Sequence, residues 1–230
     1  SQEIGIKLIP HEITQVCMLY FVSIEAWDAT HKGEYIKISG AADQICRCVN
    51  PDDNPGTNYN SIIGINQVDT GKHHWRLKIL EIAPVLAYWR IVIGVAAINE
   101  LTDAQLQEIC DSYMTRHCES YGLVVNYNNV SSYTVNQDSP GVCLTNYGEC
   151  CRAGDVIDMY LDLDDGLLRY GMKGKVLDNA YDTVRKAQYK LIMTLSRVGT
   201  AVEIVSYEQV DQIPPPTDGI PKPPPSNFAK

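Results

Sequence analysis

Positive charge is scarce in this chain of 230 residues, which has 19 Lys and Arg against 28 Asp and Glu and a formal net charge of −9 at pH 7. A dedicated nucleic-acid-binding protein needs a basic face that displaces counterions from phosphates, and this balance argues against one. Long apolar runs are also missing. The longest, Val16 to Ile24, has nine residues, whereas a membrane-spanning helix needs about 20. We therefore expect no nucleic-acid partner and no membrane partner.

The common catalytic signatures are missing as well. The sequence has no Gly-x-Ser-x-Gly, no phosphate-binding loop ending in Gly-Lys-Ser/Thr and no His-Glu-x-x-His. The adjacent His73 and His74 fall in a strand pattern, where neighbouring side chains point to opposite faces and do not readily share a metal. The acidic residues between Asp158 and Asp165 lack the spacing and the later Glu of a calcium loop. We predict no enzyme, no cofactor and no metal site.

Cys-x-x-Cys does not occur among the eight cysteines, so the usual zinc and redox spacings are not present. An even number of cysteines permits disulfides in a secreted protein. A chain of this length with 45% apolar residues, however, can build a core without them. We interpret the cysteines as small buried thiols and predict an intracellular, reducing, cytoplasmic location.

Phenylalanine is scarce too, with two residues against 14 tyrosines. A tyrosine ring suits both strands and contact surfaces, because it combines a large apolar area with a polar tip. This bias favours a β-rich protein that binds other molecules.

Alternation of apolar and polar residues is the main structural signal that the sequence does contain. Trp75, Leu77 and Ile79 alternate with polar side chains, which predicts a half-buried strand. The same pattern recurs at Trp89 to Val95, Leu123 to Val125, Ile157 to Leu163, Tyr189 to Leu195 and Val202 to Ile204. Asp164-Asp165-Gly166 and Lys173-Gly174-Lys175 have the composition of hairpin turns. Strand signals every 8–12 residues or so in the second half predict a β-sandwich.

One helix interrupts the strand pattern. Thr102 and Gln105 have the spacing of a capping box, and Leu106, Ile109 and Cys110 share one face beyond it. The spacing predicts a helix near residues 103–112, inserted at the edge of the sandwich.

Composition also divides the chain. Seven of the 12 prolines lie between 214 and 225, and such runs favour extended polyproline geometry. We predict an N-terminal extension over 1–23, a β-sandwich domain over 24–207 and a Pro-rich tail or linker over 208–230. A stiff linker is favoured for this tail over a ligand for an SH3-type partner.

Seven short segments, taken in order, resemble those of one known family. They are Trp27-Asp28 with Tyr35–Ser39, Gly71–Trp75, Ile93–Ala96, Ser120–Leu123, Ala153–Ile157, Leu161–Asp164 and Leu168–Lys175. The series is similar to that of SPRY domains over about residues 24–207, and residues 24–60 resemble the variable leading portion, PRY-like, that precedes the SPRY core. Three positions depart from the family pattern. Arg76 stands where Glu is frequent, Asp158 stands where Gly is usual, and Lys173 replaces Asn before Gly174.

The resemblance implies an all-β, two-layer antiparallel sandwich of the concanavalin-like jelly-roll type with one short inserted helix. It also implies a non-catalytic module that binds a peptide or a folded partner through loops at one side, as a substrate receptor or scaffold part of a larger assembly. In the subgroup that captures Asn-rich peptides, the pocket uses a Tyr near Tyr-Gly and a Trp-Gly in the last loop. Tyr121-Gly122 matches the first loosely, and Val198-Gly199 lacks the Trp of the second.

We predict that large or charged loop residues make the partner contacts, since interface hot spots favour Tyr and Arg. The predicted residues are Asp52, Asp53, Asn54, Tyr59, Tyr121, Tyr127, Asn128, Tyr133, Arg197, Val198 and Gly199. An alternative remains open, because Tyr127, Asn128, Asn129 and Tyr133 offer the stacking and amide groups of a carbohydrate- or small-ligand-binding sandwich.

Overall fold

The fold is seen in a computed structural model that describes residues 24–49, 59–82, 91–99, 101–113, 118–125, 133–136 and 147–217. These residues form 13 strands and one helix. The strands are β1 (Trp27–Lys32), β2 (Ile36–Ser39), β3 (Ile45–Cys48), β4 (Asn60–Val68), β5 (Lys72–Glu81), β6 (Ile91–Ala97), β7 (Ser120–Val125), β8 (Tyr133–Asn136), β9 (Val156–Asp162), β10 (Leu167–Met172), β11 (Lys175–Tyr181), β12 (Tyr189–Leu195) and β13 (Ala201–Val210), and the helix is α1 (Asp103–Cys110).

The strands form two antiparallel sheets. The six-stranded sheet has the order β1-β4-β12-β6-β7-β8, and the seven-stranded sheet has the order β11-β10-β9-β5-β13-β3-β2. The predicted inward residues Trp75, Leu77 and Ile79 are fully buried between the sheets, and the alternate positions of β5 are more exposed. The predicted two-layer sandwich with one short helix is confirmed.

Helix α1 begins where the sequence predicts and ends slightly earlier than predicted. Thr102 caps it, and the reciprocal bonds of a capping box with Gln105 are present. It ends at Cys110, whereas the sequence predicted an end near 112. Ile109 and Cys110 pack on the outer face of the six-stranded sheet, so α1 covers apolar residues that would otherwise face solvent.

Both predicted hairpin turns are present. Gly166 between β9 and β10 has φ +69°. Between β10 and β11, Lys173 and Gly174 both have positive φ, 53° and 76°. Positive φ at both central residues is the geometry that matches the twist of two paired strands.

Several of the described tyrosines are buried or half-buried residues whose hydroxyls are hydrogen-bonded. Four of them donate to backbone carbonyls: Tyr147 to Asp178, Tyr170 to Ile93, Tyr181 to Gly122 and Tyr189 to Arg185. The bias toward Tyr over Phe therefore supplies bonds across the core, because a buried ring with a hydroxyl can hold a backbone group on the facing element.

The first described residues are tied to the core through a buried acid. Glu25 is 2% exposed and accepts hydrogen bonds from Trp75 Nε1 at 2.9 Å and from the backbone N of Asn66 at 3.1 Å. Burial raises the pKa of Glu25, and these hydrogen bonds oppose the rise. Trp75 therefore anchors the leading portion as well as filling the core.

The last strand extends past the domain boundary that the composition predicted after residue 207. Strand β13 continues to Val210, and the following residues reach β10 and β11, where the carbonyl of Pro214 accepts from Arg169 and Thr217 pairs with Val176. The extension over 1–23 and the tail beyond 217 lie outside the described residues, so the proposed domain division stays a prediction. Over the described part of the chain, no helix is both long enough and apolar enough to cross a membrane.

Candidate functional site

A polar cleft opens at the end of the sandwich where β4 begins and β12 ends. Its volume is about 490 Å³. The cleft, called the end cleft below, is lined by Lys32, Glu34, Tyr35, Tyr59, Asn60, Gln107 and Asp111.

A tight approach of the β1–β2 turn to β4 forms one wall of the end cleft. The backbone N of Gly33 donates to the carbonyl of Ser61 at 2.8 Å, and the backbone N of Tyr35 donates to Asn60 Oδ1 at 3.2 Å. A Cβ on Gly33 would lie 2.7 Å from the carbonyl oxygen of Cys110, so only glycine fits there. The turn between β1 and β2 is thereby fixed against β4 and the end of α1.

The helix supplies the opposite wall. Gln107 Nε2 donates to the carbonyl of Lys32 at 3.1 Å, and Ser61 Oγ donates to the carbonyl of Ser112 at 2.7 Å. Tyr59 packs edge-on against Tyr113 with ring centroids 5.3 Å apart. The cleft thus offers an aromatic ring, amides and charges of both signs on a rigid frame.

The loop after β12 lies beside the cleft, since Leu195 pairs with Asn60. Gly199 has φ +81°, and Thr200 Oγ1 donates to the carbonyl of Arg197 at 2.6 Å. Val198 is 54% exposed, whereas Arg197 is only 9% exposed. The loop therefore presents an apolar tip to solvent and keeps its arginine against the protein.

The structure brings four of the predicted site residues to this end. They are Tyr59, Arg197, Val198 and Gly199. Tyr133 was expected in a loop and instead begins β8, where it pairs with Val124. Asp52, Asp53, Asn54, Tyr127 and Asn128 lie outside the described residues, and their role stays a prediction. Asp52, Asp53 and Asn54 lie in the sequence between the described residues Val49 and Tyr59. The backbone N of Val49 donates to the carbonyl of Tyr35, and Tyr59 lies in the cleft wall.

Tyr121 was expected in a loop, and that placement is wrong. It lies in β7, is 3% exposed and packs edge-on against Tyr181 at 5.0 Å. Burial and a hydrogen bond to Glu119 raise the pKa of Tyr121 to about 12. Tyr121 pairs with Val95, and Val95 pairs with Leu191. Leu191 is four residues before Leu195, which lies beside the cleft, and this spacing is about 13 Å along the strand at ~3.3 Å per residue. The structure therefore does not bring Tyr121 to the end cleft.

The sequence missed the cleft residues that come from the β1–β2 turn and from α1. Glu34 and Tyr35 follow Gly33 in a turn, which is the only local signal. Gln107 and Asp111 fall within the helix predicted near residues 103–112, outside its apolar face. Their contribution depends on where α1 docks, and no local pattern gives that position.

A second polar cluster lies on the outer face of the seven-stranded sheet. His74 Nε2 is 2.8 Å from Asp158 Oδ1, His74 Nδ1 is 3.0 Å from Glu208 Oε1, and Arg76 Nε is 3.2 Å from Asp158 Oδ1. The His74 ring stacks on Tyr160 at 4.4 Å. Burial by itself lowers the pKa of His74, but the hydrogen bonds to the two carboxylates outweigh it and the pKa is raised. Arg76 and Asp158, the two departures from the family pattern on these strands, are thus paired with each other.

The acidic residues near the β9–β10 turn are matched by a lysine. Lys72 Nζ lies 2.7 Å from Asp162 and 3.8 Å from both Asp164 and Asp165. The pKa of Asp162 is lowered, because Lys72 and two backbone amides outweigh its partial burial. Among the described residues, no group of three or more His, Cys, Asp or Glu is arranged to hold a metal.

None of the six described cysteines is in a disulfide: Cys46, Cys48, Cys110, Cys118, Cys150 and Cys151. All but Cys150 are buried, as predicted. Burial raises the pKa of Cys110, Cys118 and Cys151 to about 12, so these thiols stay protonated. They fit a packing role rather than that of a nucleophile.

Comparison with known proteins agrees with the architecture. No family profile and no curated protein matches the sequence. The crystal structure of the TRIM65 PSpry domain is similar, with TM-score 0.53 and 15% identity, over 78% of this chain and 90% of that one. The SPRY domain of human HERC1 is similar with TM-score 0.51 and 15% identity, over 79% of this chain and 98% of that one. The resemblance that the ordered motifs indicated is thus confirmed at the level of the fold: the chain has the fold of SPRY domains.

Proposed function

We propose that this chain is a non-catalytic protein-interaction module that binds a peptide segment or a folded partner at the end of the sandwich that holds the cleft. The observation that carries the proposal is the end cleft itself, with the exposed Val198 beside it. A rigid frame with an aromatic wall, charged side chains and an apolar tip suits the recognition of an extended segment, because stacking gives contact area and the charges complement side chains of the partner.

The charges in the cleft narrow the partner. Lys32, Glu34 and Asp111 all line the cleft, so the site carries both signs and a slight acidic excess. A partner segment with one acidic and one or two basic or amide side chains complements it. The proposal extends to a role as substrate receptor or scaffold part of a larger assembly. We also propose a reducing, cytoplasmic location, which the buried cysteine thiols support.

The test compares two exposed valines on the whole chain. A peptide library displayed on phage is selected on the wild type, and the affinity of the best peptide is measured for Val198→Glu and Val205→Glu. Val198 is 54% exposed beside the cleft, and Val205 is 44% exposed on β13. We expect Val198→Glu to weaken binding by about tenfold or more, since desolvating a charge at an interface core costs well over 1.4 kcal/mol. We expect Val205→Glu to leave it within about twofold.

Two outcomes would count against the proposal. Equal effects of the two valine substitutions would place the contact elsewhere on the surface. Failure of the selection, together with thermal stabilisation by free sugars or nucleotides, would favour the small-ligand alternative, because a ligand bound only to the native state raises the melting temperature.

A further inference from the structure

The outer edge of β11 is hydrogen-bonded at Val176 to the chain's own proline-rich segment. Strand β11 lies at the end of the seven-stranded sheet, at the edge opposite β2 and the end cleft. An edge strand exposes unpaired N–H and C=O groups that can pair with another extended chain. Here Thr217 pairs with that edge at Val176, and residues 212–213 lie beside Lys72 and Leu167.

The contact is a hydrogen-bonded pair between Val176 and Thr217. The backbone N of Thr217 donates to the carbonyl of Val176 at 2.8 Å, and the backbone N of Val176 donates to Thr217 Oγ1 at 3.0 Å. The threonine hydroxyl takes the place that a carbonyl would have in a β-ladder. Prolines lack an N–H, so Thr217 is the first residue after Pro214-Pro215-Pro216 that can make such a pair.

A second contact holds the start of the proline run. Arg169 Nη1 donates to the carbonyl of Pro214 at 2.5 Å. The guanidinium is fixed beforehand, because Asn179 Oδ1, on the neighbouring strand, accepts from Arg169 Nε at 3.1 Å and from Nη2 at 2.6 Å. The arginine is therefore held in position to bind a carbonyl, at a small cost in side-chain entropy.

The two contacts select an extended, proline-rich ligand. Pro214 and Thr217 are three residues apart, which is one turn of a polyproline helix of about 9 Å. A polyproline segment is already extended before it binds and so loses little chain entropy. Beside it lies a hollow of about 290 Å³, which Leu167 and Ile213 line together with the charged Lys72, Asp162 and Asp165.

We propose that the β11 edge with Arg169 is a second binding site, specific for extended Pro-Pro-Pro-Thr segments, and that residues 213–217 are its resident ligand in the same chain. The site binds such a segment from another molecule only when the resident segment is displaced. While docked, the first proline run is also withheld from partners that recognise free polyproline. This site does not depend on the function of the end cleft.

The resident contact is tested by amide hydrogen exchange on the full chain. We expect the Val176 amide to be protected in the wild type and in Thr217→Ser. Thr217→Val keeps the shape and removes the acceptor, so we expect it to speed exchange by about tenfold. Equal exchange of Val176 in the wild type and in Thr217→Val would overturn the proposal.

Binding from another molecule is tested with a fluorescent synthetic peptide of residues 211–219. We expect the full-length Thr217→Val chain to bind it about five- to tenfold more tightly than the wild type does, because its own segment competes less. Adding Arg169→Ala should abolish that binding, and the exposed Arg152→Ala should not. Binding that ignores Arg169, or absence of binding to Thr217→Val, would overturn the proposal. Val198→Glu should have no effect, which separates this site from the end cleft.

Discussion

Two adjacent histidines respond oppositely to their surroundings. His73 points inward, where its Nδ1 is 3.0 Å from the Tyr207 hydroxyl and its Nε2 is 2.8 Å from the carbonyl of Thr70. Burial lowers the pKa of His73, whereas the carboxylates of Asp158 and Glu208 raise the pKa of His74 against its own burial. The sequence predicted opposite faces for the pair, and the opposite pKa shifts follow from what lies on each face.

These shifts give opposite dependences of stability on pH. The contribution of His74 is present below its ordinary pKa of 6.5 and is lost as the pH rises through the higher pKa of the folded state. The contribution of His73 is present above 6.5 and is lost as the pH falls through its lower folded-state pKa.

Single variants should separate the contributions of His73 and His74 to stability. We expect the stability lost in His74→Gln to be larger at about pH 5.5 than at about pH 8, and the loss in His73→Gln to be larger at about pH 8. Urea unfolding of each variant and the wild type at both pH values measures this. Losses that change in the same direction with pH for both variants would contradict the assignment.

Tyr121 shows how much a single residue can be predicted from sequence. The alternation that places Leu123 and Val125 inside also places Tyr121 inside, since it is two residues earlier. The adjacent Tyr-Gly motif suggested a loop instead, and the alternation was the better guide. Arg197 offered no comparable pattern, and its burial depends on how the loop folds back on Thr200.

At the level of elements, the turn between β10 and β11 is well formed but carries an unfavourable residue. Lys173 has φ 53°, a region that costs most side chains about 1 kcal/mol or more and that Asn tolerates better. Its ammonium lies 3.3 Å from Glu149, but such an exposed pair contributes little.

Replacing Lys173 with asparagine should therefore stabilise the hairpin. We expect Lys173→Asn to be more stable than Lys173→Ala by about 1 kcal/mol, because both lose the ion pair and only Asn accepts the positive φ. Thermal unfolding of the two variants beside the wild type measures the difference. Equal stability of the two would mean that this turn relaxes to another conformation.

The elements themselves were largely predictable, and their arrangement was not. The capping box of Thr102 and Gln105 and the alternation in β5 are local patterns, so the sequence contains them. Strand β12, by contrast, pairs with β4 and β6, which lie far away in the chain. The end cleft is made by such distant pairings. Tyr59 was predicted from its residue type and loop position alone, whereas the contribution of Gln107 depends on where α1 docks.

On the scale of the whole molecule, two separate sheets must be held in one relative position. Apolar packing has no direction of its own, so hydrogen bonds across the core fix the alignment. Tyr170 on β10 of one sheet donates to the carbonyl of Ile93 on β6 of the other at 3.0 Å, and Tyr170 is fully buried. Tyr181 makes a similar bond to Gly122 at 2.9 Å but is only partly buried.

Removing the hydroxyl of Tyr170 or of Tyr181 should show how far burial determines the stability that each hydrogen bond contributes. We expect Tyr170→Phe to lower the free energy of unfolding by about 1–2 kcal/mol, since no water can replace the lost donor. Tyr181→Phe should cost less than about 1 kcal/mol, because solvent reaches that position. Urea denaturation of both variants against the wild type gives the two values. An equal or larger cost at Tyr181 would show that the sheets are aligned from the rim rather than from the core.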